Sequence, residues 1–148
     1  GLVTEAAHRE APQSPLYPAW MKSRGPEIIE CLEALLRRDW RPIGQLAELD
    51  SIRLHAITMT ASRENKLFAW EPENIPLFRL CNTLREEGIP VYFSTDTGPT
   101  TVLITEQRFE ERVARAVESL GLEVVRGRIA GPAALVPLEE AARELDLA

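Results

Sequence analysis

The chain has 148 residues, a formal net charge of −6 and a hydrophobic content of 45%. This length predicts one domain spanning residues 1–148, and the apolar content supports a packed core and argues against disorder. The net negative charge is unlike the basic surface of a nucleic-acid-binding protein, so we expect no nucleic-acid partner. No apolar run is long enough to span a bilayer and no signal peptide is visible. We therefore expect a cytoplasmic protein with no membrane partner.

The first quarter of the chain predicts helices. Gly1 to Gln13 is polar without a clear period, which indicates a loop or an incoming edge segment. Ser14 and Pro15 resemble an N-cap and a first helical residue. The sequence Arg24-Gly25-Pro26 is expected to stop that helix and start a second one, which ends near Arg38. The second helix carries an apolar stripe of Ile28, Leu32, Leu35 and Leu36.

Asp39 is suited to cap a third helix from about Pro42 to Ala61. Asp50 falls on the apolar stripe of this helix, so it must be hydrogen-bonded, exposed at an edge, or functional. His55 follows Ser51 by four residues, so the two share a face. A structural role for this histidine is favoured over a catalytic one. The expected buried face is Ile43, Leu46, Ala47, Leu54, Ile57 and Ala61.

A loop with an apolar centre follows at Ser62 to Pro72, and its Leu67, Phe68 and Trp70 either wall a pocket or pin the loop to the core. Glu73 to Glu87 predicts another helix, with Leu77, Phe78, Cys81 and Leu84 inward and Gly88 at its end. Cys31 and Cys81 lie in helix-like patterns, which indicates reduced core thiols. Two cysteines and two histidines in this arrangement lack the spacing of a metal site.

Pro90 to Thr95 and Thr101 to Thr105 have strand composition, and Gly98-Pro99 marks the turn between them. Asp96 therefore lies where a strand runs into a tight loop, a position at which catalytic groups are often held rigidly beside a cleft. An ordinary turn aspartate that bonds its own backbone is the competing interpretation. Gly98 allows a close ligand approach or a positive φ.

The last third predicts a helix from Glu106 to Leu120, short strands at Leu122 to Val125 and Ala133 to Val136, and a terminal helix from Pro137 to Leu145. Arg126 and Arg128 form a small basic spot for which a solvated loop is the favoured interpretation. This order predicts an α+β fold with helices on one side of a mostly antiparallel sheet, containing most of a split βαβ unit.

Four stretches carry a family resemblance: SPLYPAW (residues 14–20), RDWRPIGQLAE (38–48), RLHAITM (53–59) and EEGIPVYFSTDTGPTTVLI (86–104). In order and spacing they resemble the C-terminal half of the diphosphomevalonate decarboxylases, in the GHMP kinase superfamily. The likeness extends from about Ser14 to Pro132. Its most specific part resembles the signature Y-F-T-x-D-A-G-P-N, and the signature aspartate falls on Asp96.

The resemblance implies a ferredoxin-like (split βαβ) C-terminal domain with extra helices. It also implies ATP-dependent decarboxylation of a mevalonate phosphate ester in isoprenoid biosynthesis, with Asp96 catalytic and Thr97, Gly98 and Thr100 at the substrate. ATP and Mg²⁺ are expected to be bound mainly by an N-terminal GHMP domain, so this chain alone should be inactive.

The sequence departs from the family at three places. The signature alanine and asparagine are Thr97 and Thr100, a Pro-Pro-aromatic motif is replaced by Arg63-Glu64-Asn65, and a phosphate-binding arginine of the family aligns with Thr4, with Arg9 out of register. Phosphomevalonate decarboxylase, a related mevalonate kinase and a non-catalytic module that binds a ligand or partner therefore stay open as alternatives. Self-association into a homodimer is a further hypothesis.

Overall fold

The computed structural model describes residues 4–64 and 66–137. In these ranges the chain forms five α-helices and one antiparallel hairpin, with 3₁₀ turns at Ala11–Gln13 and Gln107–Phe109. The elements are α1 (Thr4–Glu10), α2 (Tyr17–Leu36), α3 (Trp40–Ala61), α4 (Asn74–Glu86), β1 (Val91–Thr95), β2 (Thr101–Thr105) and α5 (Glu110–Glu118). The predicted terminal helix lies outside the described residues, apart from Pro137.

The hairpin is the centre of the fold. Its register sets Val91 opposite Thr105 and Thr95 opposite Thr101. Strand β1 is buried along most of its length because α3 and α4 both pack against it. The predicted α+β class is therefore confirmed. The core between α4, β1 and α5 is formed by Leu77, Cys81, Leu84, Ile89, Val91, Phe93, Val113 and Val117.

The predicted strands at residues 122–125 and 133–136 are wrong, since β1 and β2 are the only strands among the described residues. Leu122 and Val124 pack against the core while Glu123 and Val125 are exposed, so the period-two alternation is real. A strand also needs a neighbouring strand for its backbone hydrogen bonds. Residues 4–13 are helical, so they do not provide a neighbouring strand. Within the described residues, the split βαβ unit therefore consists of the β1–β2 hairpin and the helix that follows it.

The N-terminal prediction also needs correction. Residues 4–13 form α1 and a 3₁₀ turn instead of a loop or edge segment, and residues 1–3 lie outside the described range. Helix α2 starts at Tyr17, so Ser14 does not cap a helix beginning at Pro15. Instead the buried Ser14 Oγ accepts a hydrogen bond from the Leu16 N–H and bonds Thr60 Oγ1 at 2.7 Å, which ties this turn to α3.

Helix α2 runs through Pro26 without the predicted break. Proline removes one hydrogen bond to the carbonyl four residues earlier, and Pro26 is exposed, so water can bond that carbonyl. The same turn is fixed to α3 by two ion pairs, Glu27 with Arg53 and Arg24 with Asp50 at 2.5 Å. Glu27 and Arg24 also pair with each other within α2. These contacts outweigh the local signal for a helix end.

The apolar stripe predicted on this helix is exposed instead of buried. We call the set Ile28, Ile29, Leu32, Leu35 and Leu36 the α2 stripe; its side chains are 54–86% exposed. Ala34 is the buried residue of α2 and contacts the body of the domain from the other side of the helix. Cys31, predicted to be a core thiol, is only half-buried.

Helix α3 is capped as predicted, because the Asp39 carboxylate accepts the Arg41 N–H at 3.3 Å. Its buried face is displaced from the expected one, however. Ile57 and Ala61 are buried as predicted, whereas Ile43, Leu46, Ala47 and Leu54 are only half-buried. Polar Ser51, His55 and Thr58 take their place against the body of the domain, together with Gly44. No helix in residues 4–64 or 66–137 is long and apolar enough to cross a membrane.

Candidate functional site at the β1–β2 loop

The predicted site residues lie together in the loop that joins β1 to β2, which we call the signature loop (residues 96–100). Asp96 directly follows β1 and is exposed. Thr97 is buried, with 9% of its surface exposed, and Gly98 is half-buried. Thr100 is exposed at the start of β2. In the described parts of the chain the Asp96 carboxylate has neither a hydrogen bond nor an ion pair, so it does not bond its own turn as an ordinary turn aspartate would.

Thr95, the residue before Asp96, is held by two side chains of α3. Its N–H donates to Ser51 Oγ at 2.9 Å, and its Oγ1 bonds His55 Nε2 at 2.9 Å. Ser51 and His55 share one helix face, as their spacing predicts. Ser51 Oγ in turn donates to the Ala47 carbonyl at 2.8 Å. The backbone entering the loop is therefore fixed by buried hydrogen bonds.

Helix α1 reaches the loop from the opposite end of the sequence. Thr4 Oγ1 and Thr97 Oγ1 are 3.0 Å apart and share a hydrogen bond. This contact brings together two positions at which the sequence departs from the family pattern, one from an arginine and one from an alanine. The pair is neutral, so it presents hydroxyl groups and no cation at the loop.

Asn74, the first residue of α4, anchors the far side of the loop. Its buried amide Nδ2 donates to the Pro99 carbonyl at 2.7 Å and to Thr101 Oγ1 at 3.0 Å, while Oδ1 accepts the Glu71 N–H at 2.7 Å. Sequence reasoning did not single out this residue. The available signal was an asparagine at the start of a predicted helix, where such side chains commonly bond nearby backbone.

His55 is 2% exposed, and its ring lies 4.6 Å from the Trp70 ring. Burial lowers the pKa of His55 below its usual value, while the backbone and the carboxylate charge of Asp96 act in the opposite direction. Trp70 contacts Phe78 edge-on, and Phe78 stacks on Phe93 of β1. Trp70 therefore pins its loop to the core, whereas Phe68 of the same loop is exposed.

Gly98 has no positive φ, and a Cβ built on it would meet nothing within 4 Å. Of the two roles offered for Gly98, a positive φ is therefore not the one adopted, and the protein contacts described here do not require a glycine at this position. The space above Gly98 is open, which leaves its backbone accessible.

Two clefts lie elsewhere on the surface. One of about 610 Å³ is lined by Thr60, Arg63 and Glu64 beside the 3₁₀ turn, and one of about 330 Å³ by Glu48, Arg85 and Tyr92. Asp96 lines neither of these two clefts. Residues 4–64 and 66–137 also contain no group of three or more His, Cys, Asp or Glu side chains that could hold a metal ion.

Other candidates from the sequence have structural partners. Asp50 accepts the Trp20 Nε1–H at 2.7 Å in addition to its ion pair with Arg24. Arg126 pairs with Glu111 at 2.8 Å, so the basic spot at Arg126 and Arg128 is partly neutralised. Cys81 is completely buried, which raises the pKa of its thiol to about 12 and keeps it unreactive.

Comparisons with known proteins agree with the decarboxylase resemblance that the sequence around Asp96 indicates. Phosphomevalonate decarboxylase from Haloferax volcanii is 37% identical over 139 residues, which cover 93% of this chain and 42% of that relative. The chain is therefore similar to a phosphomevalonate decarboxylase over most of its own length. The likeness covers less than half of that relative, and it confirms the resemblance predicted from the sequence. No protein-family model matches the chain.

Solved structures of mevalonate diphosphate decarboxylases share the fold of the chain, as the sequence predicts. Mevalonate diphosphate decarboxylase from Enterococcus faecalis matches with a TM-score of 0.72 and 22% identity over 80% of this chain and 37% of that chain. The Staphylococcus aureus enzyme matches with a TM-score of 0.67 and 21% identity over 73% and 32%. A third structure, MDDEF in complex with MVAPP, AMPPCP and magnesium, matches with a TM-score of 0.68 and 24% identity over 75% and 33%. The chain thus spans about two fifths or less of each relative.

Proposed function

We propose that this chain is the substrate-side domain of an ATP-dependent decarboxylase that acts on a mevalonate phosphate ester, with mevalonate 5-diphosphate as the first candidate. The observation that carries the proposal is Asp96, an exposed carboxylate that has no hydrogen bond or ion pair within residues 4–64 and 66–137, on a loop with fixed neighbours. Thr95, Thr97 and Pro99 are each hydrogen-bonded to a different helix. A catalytic carboxylate needs a rigidly held backbone and carboxylate oxygens that are free to accept a hydrogen bond from the substrate.

The Asp96 carboxylate would accept a hydrogen bond from the tertiary hydroxyl of the substrate and take its proton as the hydroxyl oxygen attacks the γ-phosphoryl group of ATP. The C–O bond to the new phosphate group then breaks, and the bond to the carboxyl carbon releases carbon dioxide. The electron pair of that C–C bond becomes the alkene. In this proposal the open backbone at Gly98 and the exposed hydroxyl of Thr100 would contact the same substrate.

The described residues do not fit Mg²⁺ binding, because a single carboxylate at the signature loop is a poor site for a cation that needs several oxygen ligands. We therefore assign ATP and Mg²⁺ to an additional ATP-binding domain. A structure with a similar fold was solved in complex with AMPPCP and magnesium. The ATP-binding domain would also cover the exposed Asp96 carboxylate. On this proposal the 148-residue chain alone turns over no substrate.

A monophosphate ester is the second candidate substrate. The 37% identical relative is a phosphomevalonate decarboxylase, and the Thr4–Thr97 pair offers no cation where the family pattern has an arginine. Without that charge an additional phosphate group gains less in binding.

The test joins this chain to the ATP-binding domain of a family member and supplies ATP with mevalonate 5-phosphate or mevalonate 5-diphosphate. Release of ADP, phosphate and carbon dioxide in equal amounts supports a decarboxylase, and the kcat/KM ratio identifies the substrate. ADP without carbon dioxide would indicate a kinase, and no ADP with either ester would favour a non-catalytic module.

A further inference from the structure

Thr95 is the point at which α3 controls the start of the signature loop. It is the last residue of β1, it is 5% exposed, and it pairs with Thr101 across the hairpin. Its N–H and its hydroxyl are bonded to Ser51 and His55 respectively. Because Asp96 follows directly, any rotation of Thr95 would change the direction in which the carboxylate leaves the strand.

The imidazole of His55 is itself held rigidly. It is almost completely buried between α3, β1 and the Trp70 loop, with the Trp70 ring 4.6 Å from one face. Trp70 is packed in turn against Phe78, and Phe78 against Phe93. Because these core contacts fix the imidazole, they also fix the Thr95 hydroxyl that bonds it. His55 itself is too deeply buried to contact a substrate.

We infer that His55 is a positioning residue for Asp96, acting through its hydrogen bond to Thr95 and not by direct contact with substrate. The inference rests on the proposed function for its catalytic consequence. A purely structural interpretation of the same bond predicts a loss of stability with no separate effect on catalysis, so the two interpretations differ in a measurable way.

The decisive variant is Thr95→Val, which keeps the branched shape and removes the hydroxyl. Its matched control is Thr105→Val, because Thr105 Oγ1 donates to the Pro90 carbonyl at 2.7 Å at the other end of the same hairpin. Both variants lose one hydroxyl hydrogen bond from the same pair of strands. Only Thr95→Val loses it next to Asp96.

In the joined protein we expect Thr95→Val and His55→Phe to lower kcat by roughly 10- to 100-fold with little change in KM, since a misplacement of about 1 Å can cost a factor of 100. Thr95→Ser and His55→Gln, which can restore the hydrogen bond, should recover most of that loss. Thr105→Val should keep its kcat despite a similar fall in melting temperature. Equal kcat values for Thr95→Val and Thr105→Val would overturn the inference.

A measurement on the 148-residue chain alone separates this inference from the proposed function. The Asp96 side-chain carboxyl signal is followed by NMR as pH is varied, in the wild-type chain and in both valine variants. We expect Thr95→Val to change the chemical shift of that signal at every pH and Thr105→Val to leave it unchanged. If Thr95→Val also leaves it unchanged, the positioning role is wrong, whatever the joined protein does.

Discussion

At the scale of single residues, the signature loop shows what local sequence can and cannot predict. The strand–turn–strand pattern located Asp96 at the end of β1, and β2 has the predicted bounds, Thr101–Thr105. The contacts to Thr4 and Asn74 could not be predicted, because they join residues 93 and 25 positions apart along the chain. Periodicity and turn chemistry report only on neighbours in sequence.

His55 leads to a prediction about pH and stability. Its pKa is below the usual value because the ring is buried, whereas in the unfolded chain the pKa is about 6.5. Between these values the unfolded chain binds more protons, so the free energy of unfolding falls as pH falls through that window.

Urea denaturation at pH 7.5, 6.5 and 5.5 measures this effect, and these pH values stay above the range in which the carboxylates titrate. The wild-type chain should lose stability towards pH 5.5, and His55→Gln should show a shallower dependence because the titrating ring is gone. Equal pH dependence in the two proteins would mean that His55 does not titrate differently on folding.

At the scale of whole elements, the contact between α3 and β1 sets the position of the loop. Gly44 of α3 lies against Tyr92, and a Cβ built at Gly44 would be 2.4 Å from Tyr92 Cδ2. Trp40 meets the same ring edge-on at 5.7 Å, and the Arg85 guanidinium lies 5.3 Å from its centre. The tyrosine is enclosed and cannot move aside easily, so the helix can approach the strand this closely only without a side chain at position 44.

Gly44→Ala should therefore destabilise the domain by about 1–3 kcal/mol, the usual cost of overpacking, although alanine is otherwise the better helix former. Gly127→Ala is the control, since a Cβ there meets nothing within 4 Å. Chemical denaturation of both variants measures the difference. A Gly44→Ala protein as stable as the control would show that α3 and β1 do not pack this closely.

The elements that were predicted incorrectly share a physical cause. Local patterns indicated a helix break at Pro26, but ion pairs to α3 stabilise the helix there. Local patterns also indicated an apolar inner face on α3, but that face is polar because Ser51 and His55 form hydrogen bonds with Thr95. Both are tertiary contacts, which override local propensity. Helix α4 and the positive φ of Gly88 were predicted correctly because an amphipathic period and a C-terminal glycine are local features.

At the scale of the whole molecule, the α2 stripe is an exposed apolar surface, and contiguous apolar surfaces of this kind commonly bind a partner. Its residues are arranged symmetrically about Leu32, with isoleucines three and four positions before it and leucines three and four positions after it. Such a stripe can pack against the same stripe of a second, antiparallel copy, because an isologous contact uses the same patch on both subunits. A dimer of this kind would cover the stripe, as the homodimer hypothesis for the isolated chain expects.

We expect the 148-residue chain to form dimers in sedimentation experiments and Leu32→Glu to shift it to monomer, since a charge at the symmetry axis is buried twice. Val102→Glu is the control, because Val102 is 58% exposed on β2, away from α2. A wild-type chain that stays monomeric at high concentration would show that the α2 stripe does not join two copies.

The central claim is that Asp96 provides the reactive carboxylate, and the most direct test is Asp96→Asn in this chain joined to the family's ATP-binding domain. We predict that carbon dioxide release falls by at least about 100-fold, the usual contribution of a catalytic acid or base, while the melting temperature stays close to that of the unmodified protein because the exposed Asp96 is not in the buried core. Undiminished turnover by a folded Asp96→Asn protein would contradict the claim.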